Sequence, residues 1–367
     1  MTQYLDPVAL WEDLHQIPEL AMQEVKTAAY VAKTLQDLGI ETQTQLGGTT
    51  GVMGIIRGSE PGPVVMLRAD MDALPFTIDG KLCAIHACGH DSHTAMLLAV
   101  ASRMKDQVKK GTLKLLFQPA EEAISGALAM IDAGVLEDVD YALSSHIRPI
   151  QDVEAGKVCP GVMHSASHTM FVEIEGRSAH AARPHLGVNT IDVACAIIQN
   201  VQAQWFNPAD VWSAKCTQLH ADAGASNSIP GKARLTFDCR AGTNPLMADF
   251  NERFARIVKN TAEAFGAKAE IIEGGNCPAA EYDEDFKEMV REAIVNVCGA
   301  DAVAKDCGGG GEDFHFFKMA KPSIKAAYFG VGVGATPGLH NADMHFDPKY
   351  LINGVNITVD VAKRLVG

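Results

Sequence analysis

Residues 62–70, GPVVMLRAD, begin the strand–helix–strand unit that decides the fold of this chain. Their valines and other apolar residues predict a buried strand. Residues 92–105, SHTAMLLAVASRMK, predict a helix, and residues 112–119, TLKLLFQP, predict the next strand. A strand, a helix and a strand in this order place the two strands parallel in one sheet, with the helix over one face. The sequence therefore predicts an α/β fold in which helices flank a mostly parallel sheet.

The segment 166–276 has a different order of elements. It is predicted as strand, helix, two strands, helix and strand, which is typical of a small α+β domain of the βαββαβ, ferredoxin-like type. After residue 276 the first pattern returns, with the strand AAYFGVGVG at 326–334. We therefore predict a discontinuous main domain, 1–165 and 277–367, into which the segment 166–276 is inserted. Two domains also suit a chain of 367 residues.

Composition excludes some classes of partner. The formal net charge is −14, and a field of that sign repels both nucleic acid and anionic membranes. The N-terminus, MTQYLDPVALWEDLHQ, has no basic segment followed by an apolar one, so no signal peptide is predicted. Apolar runs such as HTAMLLAVA are too short to span a bilayer. Nine cysteines without framework spacing predict reduced thiols in a cytoplasmic protein.

Side chains of the metal-ligand type follow several of the predicted strands. In an open parallel sheet, ligands bind beyond the carboxyl ends of the strands. The residues at or near those ends are Asp70 and Asp72, Cys88 and His90, Glu121 and Glu122, His146, and His340. Such a set suits a soft-to-borderline divalent ion, or two ions that share a ligand.

Each of these motifs is ambiguous when taken alone. Residues 86–93, HACGHDSH, can supply a thiolate and an imidazole to a metal, or a buried cysteine and a core histidine. A redox dithiol would need a cysteine closer than Cys83, and a thiol nucleophile would need its own local signature. Glu121 and Glu122 can divide metal binding and proton transfer between them, or they can begin a solvated helix. Taken together, these motifs favour a metal site over the other interpretations.

Seven motifs together resemble one known family, the M-20 metallopeptidases, and specifically its amidohydrolase branch of aminoacylases, hippurate hydrolases and auxin-conjugate hydrolases. They occur in the expected order along nearly the whole chain. The motifs are LRADMDALP at 67–75, HACGHDSHTAMLLA at 86–99, FQPAEE at 117–122, GRSAHAARPHLGVNTI at 176–191, SNSIP at 226–230, GGEDF at 310–314 and GLHNADMHFD at 338–347. The resemblance implies a zinc-peptidase-like catalytic domain and hydrolysis of N-acyl amino acids or related small amides. It also implies a homodimer formed through the inserted lid domain.

The resemblance also implies a metal centre with two divalent ions per subunit, of Zn, Mn, Co or Ni. Carried over position by position, it makes Cys88 the bridging thiolate. The other implied metal ligands are His90, Glu122, His146 and His340. Asp70 and Asp72 are expected to support these ligands rather than to bind metal.

The catalytic and substrate-binding residues are implied in the same way. Glu121 matches the general acid/base of the family. His180 matches a lid histidine that reaches the active site of the partner subunit and polarises the scissile carbonyl. Asn227 matches a further lid residue near the substrate, and Arg240 is a candidate for binding a substrate carboxylate.

Two features depart from the pattern of the family and concern the shape of the substrate pocket. The loop at 76–85, FTIDGKLCAI, is shorter than in most relatives, and His345 stands where a residue other than a ligand is expected. Three alternative functions stay open: a dipeptidase or aminopeptidase of the same family, a non-catalytic metal-binding protein, and a thiol-dependent enzyme.

Overall fold

The computed structural model describes residues 4–367. In chain order its strands are β1 (Glu41–Leu46), β2 (Gly51–Arg57), β3 (Glu60–Asp70), β4 (Leu74–Ile78), β5 (Lys81–Ile85), β6 (Lys110–Gln118), β7 (Tyr141–Pro149), β8 (Val158–Cys159), β9 (Val162–His164), β10 (Ala166–Glu175), β11 (Ala179–His180), β12 (Trp212–His220), β13 (Ser228–Ile229), β14 (Lys232–Ala241), β15 (Lys268–Cys277), β16 (Cys307–Gly309) and β17 (Lys325–Ala335). Its α-helices are α1 (Pro7–Leu14), α2 (Val25–Asp37), α3 (His90–Met104), α4 (Gly126–Asp132), α5 (Thr190–Gln202), α6 (Asn244–Ala264), α7 (Glu284–Cys298), α8 (His315–Ala320) and α9 (Leu351–Val366).

The described residues form two compact units. One unit runs to Met163 and resumes with Glu281–Gly367, and the other is His164–Ala280. The sequence-based boundaries of the insertion were 166 and 276. None of the helices in the described part of the chain is long and apolar enough to cross a membrane.

The first unit is built on a seven-stranded sheet with the order β1–β2–β6–β3–β7–β17–β8. The four strands β6, β3, β7 and β17 are parallel to one another, with Leu67 opposite Leu115 on one side and Leu143 on the other. The outer pairs, β1 with β2, β2 with β6 and β17 with β8, are antiparallel. The predicted α/β fold is confirmed, and antiparallel pairing is confined to the strands outside the parallel centre.

Both faces of the central strands are buried. On β3, Val65 and Leu67 join the apolar core that includes α3, α7 and α9, whereas Met66 joins a second core with residues of α4 and α8. A strand that is covered on both faces reads as a continuous apolar run, which is why GPVVMLRAD was recognisable. The helix α3 is buried around its whole circumference except at Arg103. The carboxyl ends of these parallel strands consequently lie together at one edge of a covered sheet.

The loop predicted at 76–85 is instead a two-stranded hairpin. Leu74 pairs with Ile85, and Ile78 pairs with Lys81, across a two-residue turn. Asp79 and Gly80 at that turn have φ angles of 51° and 74°. An Asp-Gly pair with positive φ at both residues is the usual chemistry of a tight hairpin turn. The prediction of a plain loop overlooked this signal.

The second unit is a four-stranded antiparallel sheet with α5 and α6 packed on it. The strand order is β12–β14–β10–β15, and the four strands and two helices follow one another as strand, helix, two strands, helix and strand. On β10 buried residues alternate with more exposed ones, and the core includes Phe237 and Phe254. A short ladder, β11 with β13, pairs His180 with Ser228.

Candidate metal centre

Cys88 and His90 flank a glycine whose conformation no other residue would adopt easily. Gly89 has a φ of 85°, and a Cβ added to it would lie 2.3 Å from Cδ1 of Ile147. The helix α3 begins at His90 with Gly89 as its N-cap. Because the chain turns so sharply here, the side chains on both sides of Gly89 approach the end of β7.

Cys88 is shared by two groups of side chains that can hold a metal ion. The first group is Cys88, His90 and His146, and the second is Cys88, Glu122 and His340. Within each group the ligand atoms lie within 4.8 Å of one another. Sγ of Cys88 is 3.4 Å from Nε2 of His146, and Nε2 of His340 is 3.3 Å from Oε1 of Glu122. All five side chains predicted as metal ligands are therefore brought together.

Two of the histidine rings are held so that Nε2 faces the cluster. Nδ1 of His90 donates a hydrogen bond to Oδ1 of Asp72 at 3.1 Å, and Nδ1 of His146 donates to the carbonyl of Ile147 at 2.5 Å. A bonded Nδ1–H fixes the tautomer and leaves Nε2 with a free lone pair. Nε2 of His90 is buried and has no hydrogen-bond partner among the described residues. A divalent cation at this position would satisfy that atom.

His93 belongs to the same HACGHDSH motif, but both of its ring nitrogens are engaged in hydrogen bonds. Its Nδ1 donates to Oδ1 of Asp70 at 2.6 Å, and its Nε2 accepts the backbone N–H of Ile147 at 3.0 Å. Asp70, His90 and His93 also form a compact group of possible ligands. Because both nitrogens of His93 are already bonded, this group lacks a free imidazole lone pair from that residue. Asp70 and His93 instead stabilise the end of β7 beside His146.

The loop with His340 is attached to the Cys88 segment. The backbone N–H of His340 donates to the carbonyl of Ala87 at 2.8 Å, and His340 itself has a φ of 64°. Its side chain is 58% exposed, so a ligand at this corner would have access to solvent. His345 is exposed, hydrogen-bonds to the carbonyl of Asp343 and belongs to none of the ligand groups among the described residues.

Glu121 and Glu122 do not begin a helix. Ala120 has a φ of 54°, and the next helix, α4, begins only at Gly126. The carboxylate of Glu24 stabilises this turn by accepting the N–H of Ala120 at 2.9 Å. Glu121 is buried, so the alternative of a solvated first turn does not hold.

The two adjacent glutamates differ in their proton affinity. Burial, together with the charges of Glu312 and Asp313, raises the pKa of Glu121 well above its ordinary value. Burial also acts to raise the pKa of Glu122, but the hydrogen bond from His340 and the charge of His90 outweigh it and leave that pKa lowered. Two neighbouring carboxyl groups with pKa values moved in opposite directions are suited to separate roles, one as proton carrier and one as anionic ligand.

A buried arginine near Glu121 was not predicted from the sequence. Arg68 donates to Asp70 at 2.7 Å, to Asp313 at 2.8 Å and to Glu312 at 3.0 Å. Glu312 and Asp313 in turn lie within 4.8 Å of Glu121, measured between carboxylate oxygens. The signals were present in the motifs LRAD and GGEDF, but nothing local showed that residues 244 positions apart form one ion-pair network.

The three residues predicted from the lid all belong to the second unit. His180 is exposed on β11, and the backbone of Asn227 lies beside it, since its carbonyl accepts the N–H of Ala181 at 2.8 Å. Arg240, on β14, binds Asp238 through two hydrogen bonds of 2.8 and 2.9 Å. These bonds use Nε and Nη2, so the N–H groups of Nη1 are still available as donors to a substrate carboxylate.

Comparisons with known proteins identify relatives of this chain. The model of the Peptidase family M20/M25/M40 matches residues 66–364. An N-acyl-L-amino acid amidohydrolase of Geobacillus stearothermophilus is 35% identical over 76% of this chain and 79% of its own length. An N-acetyl-L-cysteine deacetylase of Bacillus subtilis is 32% identical over 98% of this chain and 88% of its own.

A solved structure shares the fold. It is the Bacillus subtilis YXEP protein, described as a dinuclear metal binding peptidase, with a TM-score of 0.82 and 26% identity over 98% of this chain and 97% of that one. The resemblance to the amidohydrolase branch is thereby confirmed. This chain belongs to the Peptidase family M20/M25/M40 and is an enzyme that hydrolyses C–N amide bonds.

Proposed function

We propose that this enzyme is a divalent-metal-dependent amidohydrolase that cleaves the amide bond of N-acyl amino acids. The observation that carries the proposal is the pair of ligand groups that share Cys88 beside the buried carboxyl of Glu121. The similarity to an N-acyl-L-amino acid amidohydrolase and to an N-acetyl-L-cysteine deacetylase supports the substrate class.

The residues present fit two metal ions. Burial raises the pKa of the Cys88 thiol, so its thiolate needs a compensating cation, and a shared thiolate suits a bridging position. Imidazole and thiolate ligands favour Zn, Co or Ni over Mg or Ca, whereas the carboxylate of Glu122 also suits Mn. In this assignment His90 and His146 would hold one ion, Glu122 and His340 would hold the other, and Cys88 would contribute to both. When bound, the ions supply Lewis acidity to the attacking water and to the amide carbonyl.

The side chains of the protein transfer the protons and orient the proposed metal ligands. Glu121 accepts a proton as water attacks and delivers it to the leaving amine. Burial raises its pKa, which favours the protonated form that delivers the proton to the leaving amine. Oδ1 of Asp72 fixes the orientation of the His90 ring. Oδ2 accepts the backbone N–H of Glu122 at 3.0 Å.

We infer that the second unit supplies a further hydrogen-bond donor for the reaction. His180 would donate to the oxyanion of the tetrahedral intermediate in the partner subunit of a homodimer, with Asn227 close to the substrate. Its exposed position on a short ladder supports a role outside its own unit's core. A reducing, cytoplasmic setting agrees with this chemistry, because oxidation of Cys88 would remove the bridging thiolate.

A substrate panel tests the proposal. The metal-free enzyme is reloaded separately with Zn²⁺, Mn²⁺ or Co²⁺ and assayed on N-acetyl amino acids, on N-benzoylglycine and on dipeptides with a free amino terminus. We expect hydrolysis of acylated amino acids, loss of activity on chelation and recovery on reloading. Cleavage of the free dipeptides alone would show a peptidase instead. Activity that survives chelation but is lost on thiol alkylation would show thiol-dependent catalysis.

A further inference from the structure

Two cysteines outside the metal centre lie in contact in the first unit. Sγ of Cys159, at the end of β8, is 3.2 Å from Sγ of Cys307, at the start of β16, although 148 positions separate them in the chain. Both are free thiols. Neither is a member of the ligand groups found among the described residues. The proposed hydrolase does not use this pair.

Backbone hydrogen bonds between the two segments fix the distance between the two thiols. The N–H of Cys307 donates to the carbonyl of Gly161 at 3.2 Å, and the N–H of Ala304 donates to the carbonyl of Val158 at 2.8 Å. At Gly330, the missing side chain leaves room for the sulfur, since a Cβ there would lie 2.6 Å from Sγ of Cys159. A sulfur–sulfur bond is about 2.05 Å long, so closing it needs a shift of about 1 Å shared by two side chains.

The two thiols differ in their pKa, and a buried arginine lies beside them. Arg148 donates to the carbonyl of Gly308 at 2.9 Å and forms an ion pair with Asp152. The hydrogen bond from Cys159 and the charge of Arg148 lower the pKa of Cys307 against the effect of burial. The hydrogen bond to Cys307 and burial raise the pKa of Cys159. The cationic Arg148 also disfavours a metal ion at this pair, since like charges repel.

The two cysteines also differ in their exposure to solvent. Cys159 is 0% exposed, whereas Cys307 is 9% exposed. A small oxidant therefore meets Cys307 first, and Cys307 is also the thiol that ionises more readily. Reaction with the thiolate, rather than with the thiol, governs oxidation of cysteine.

We propose that Cys159 and Cys307 are a peroxide-oxidised pair that closes reversibly into a disulfide. The thiolate of Cys307 attacks one oxygen of hydrogen peroxide, the O–O bond breaks, and hydroxide leaves and is protonated to water. The resulting sulfenic sulfur is attacked by Cys159, which loses its proton, and the sulfenic oxygen leaves as a second water. The two thiols lose two electrons in total, and the peroxide is reduced to two waters.

The proposed disulfide would affect the segment that begins at Cys307. Cys307 begins the glycine-rich segment CGGGGEDF at 307–314, which contains the two acids that bind Arg68 and approach Glu121. A disulfide at Cys307 restrains the start of that segment and connects it covalently to β8.

Peptide mapping tests the proposal without relying on enzyme activity. The metal-loaded protein is treated with hydrogen peroxide, its remaining thiols are blocked with N-ethylmaleimide, and it is digested without reductant. We expect a cross-linked pair of peptides that contain Cys159 and Cys307, about 2 Da lighter than their sum and separated by dithiothreitol. The exposed Cys195 provides the matched control, because Cys195→Ser should leave this cross-link unchanged. Recovery of both thiols as maleimide adducts, while Cys195 is oxidised, would overturn the proposal.

Two single variants test the order of attack. In Cys159→Ser the sulfenic acid on Cys307 has no partner, so dimedone should label Cys307 at least several-fold more than in the unsubstituted protein. In Cys307→Ser, dimedone labelling of Cys159 should stay at background. Preferential labelling of Cys159 would refute the assignment of Cys307 as the attacking thiol. Circular dichroism and metal content, measured on both variants, verify that the fold is intact.

Discussion

Asp72 holds His90 and Glu122 at the same time, through different oxygens of one carboxylate. Oδ1 accepts Nδ1–H of His90 at 3.1 Å, and Oδ2 accepts the backbone N–H of Glu122 at 3.0 Å. The first of these two residues is a proposed ligand of one ion, and the second is a proposed ligand of the other. Asp72 thus connects a proposed ligand of each ion, and it belongs to none of the ligand groups found among the described residues.

We predict that Asp72→Asn weakens metal binding while the protein stays folded. An amide that presents its NH₂ to His90 cannot accept the Nδ1–H, and partners of this kind typically contribute about 10- to 100-fold in metal affinity. Titration of the metal-free protein with Zn²⁺ measures the change. Asp79→Asn, at the exposed hairpin turn, is the matched control and should bind like the unsubstituted protein. Unaltered affinity in Asp72→Asn would remove Asp72 from the centre.

We predict that Glu121→Gln keeps its metal but loses about 100- to 10,000-fold in turnover, the range expected on removal of a general acid/base. The amide has nearly the same shape but cannot carry the proton. Turnover on an N-acyl amino acid is measured together with metal content. The neighbouring Glu122→Gln should behave differently and lose metal as well. Near-normal turnover in Glu121→Gln would refute its role.

We predict that Cys88→Ala lowers the metal content of the purified enzyme, because the change removes the thiolate shared by both ligand groups. Elemental analysis after dialysis gives the number of ions per chain. Cys83→Ala is the matched control, since Cys83 lies on the hairpin, hydrogen-bonds to the carbonyl of Phe76 and belongs to neither of those groups. Equal metal content in Cys88→Ala and Cys83→Ala would contradict the assignment.

We predict that His180→Ala loses about 100-fold or more in turnover, the typical cost of removing one oxyanion donor, with its metal retained. Mixing His180→Ala with Glu121→Gln after reversible dissociation should restore part of the activity if each site takes its histidine from the other subunit. Absence of rescue, in samples shown by native mass spectrometry to contain mixed dimers, would indicate a site complete within one chain.

Stability should fall in acid because of a buried histidine. Burial and the charge of Arg68 lower the pKa of His315 to about 3. The unfolded state therefore takes up a proton below a pH of about 6.5, whereas the folded state does not, so the contribution is complete above that pH and is lost as the pH falls towards 3. At pH 4 the loss amounts to about 3 kcal/mol.

The free energy of unfolding of the apoenzyme, measured by urea titration at pH 7 and pH 4, checks this prediction. His315→Gln cannot titrate, so it should lose less stability between these two values than the unsubstituted protein. The starting stability of the variant does not matter, because only the difference between the two pH values is compared. An equal loss in both proteins would show that His315 is not responsible.

Local patterns were sufficient for much of the fold. The strands β3 and β6 were recognisable as short continuous apolar runs because both faces of each are buried, and α3 was recognisable as a longer apolar segment. The Asp-Gly turn at 79–80 was missed, although its signal is also local. The partners of Arg68 were not recognisable, because Glu312 lies 244 positions away and its approach depends on how the two segments meet across the sheet.

The sequence by itself determined the alternation of strands and helices, the types of side chain that end each strand, and the family, because all three are encoded in short stretches of residues. Only the tertiary structure decided that the ligand atoms beside Cys88 lie within 4.8 Å of one another in each group, that His93 is already bonded at both nitrogens, and that Cys159 touches Cys307. These are relations between atoms from distant segments. They depend on strand order, such as the insertion of β17 between β7 and β8, and on rotamers fixed by packing, which no local pattern specifies.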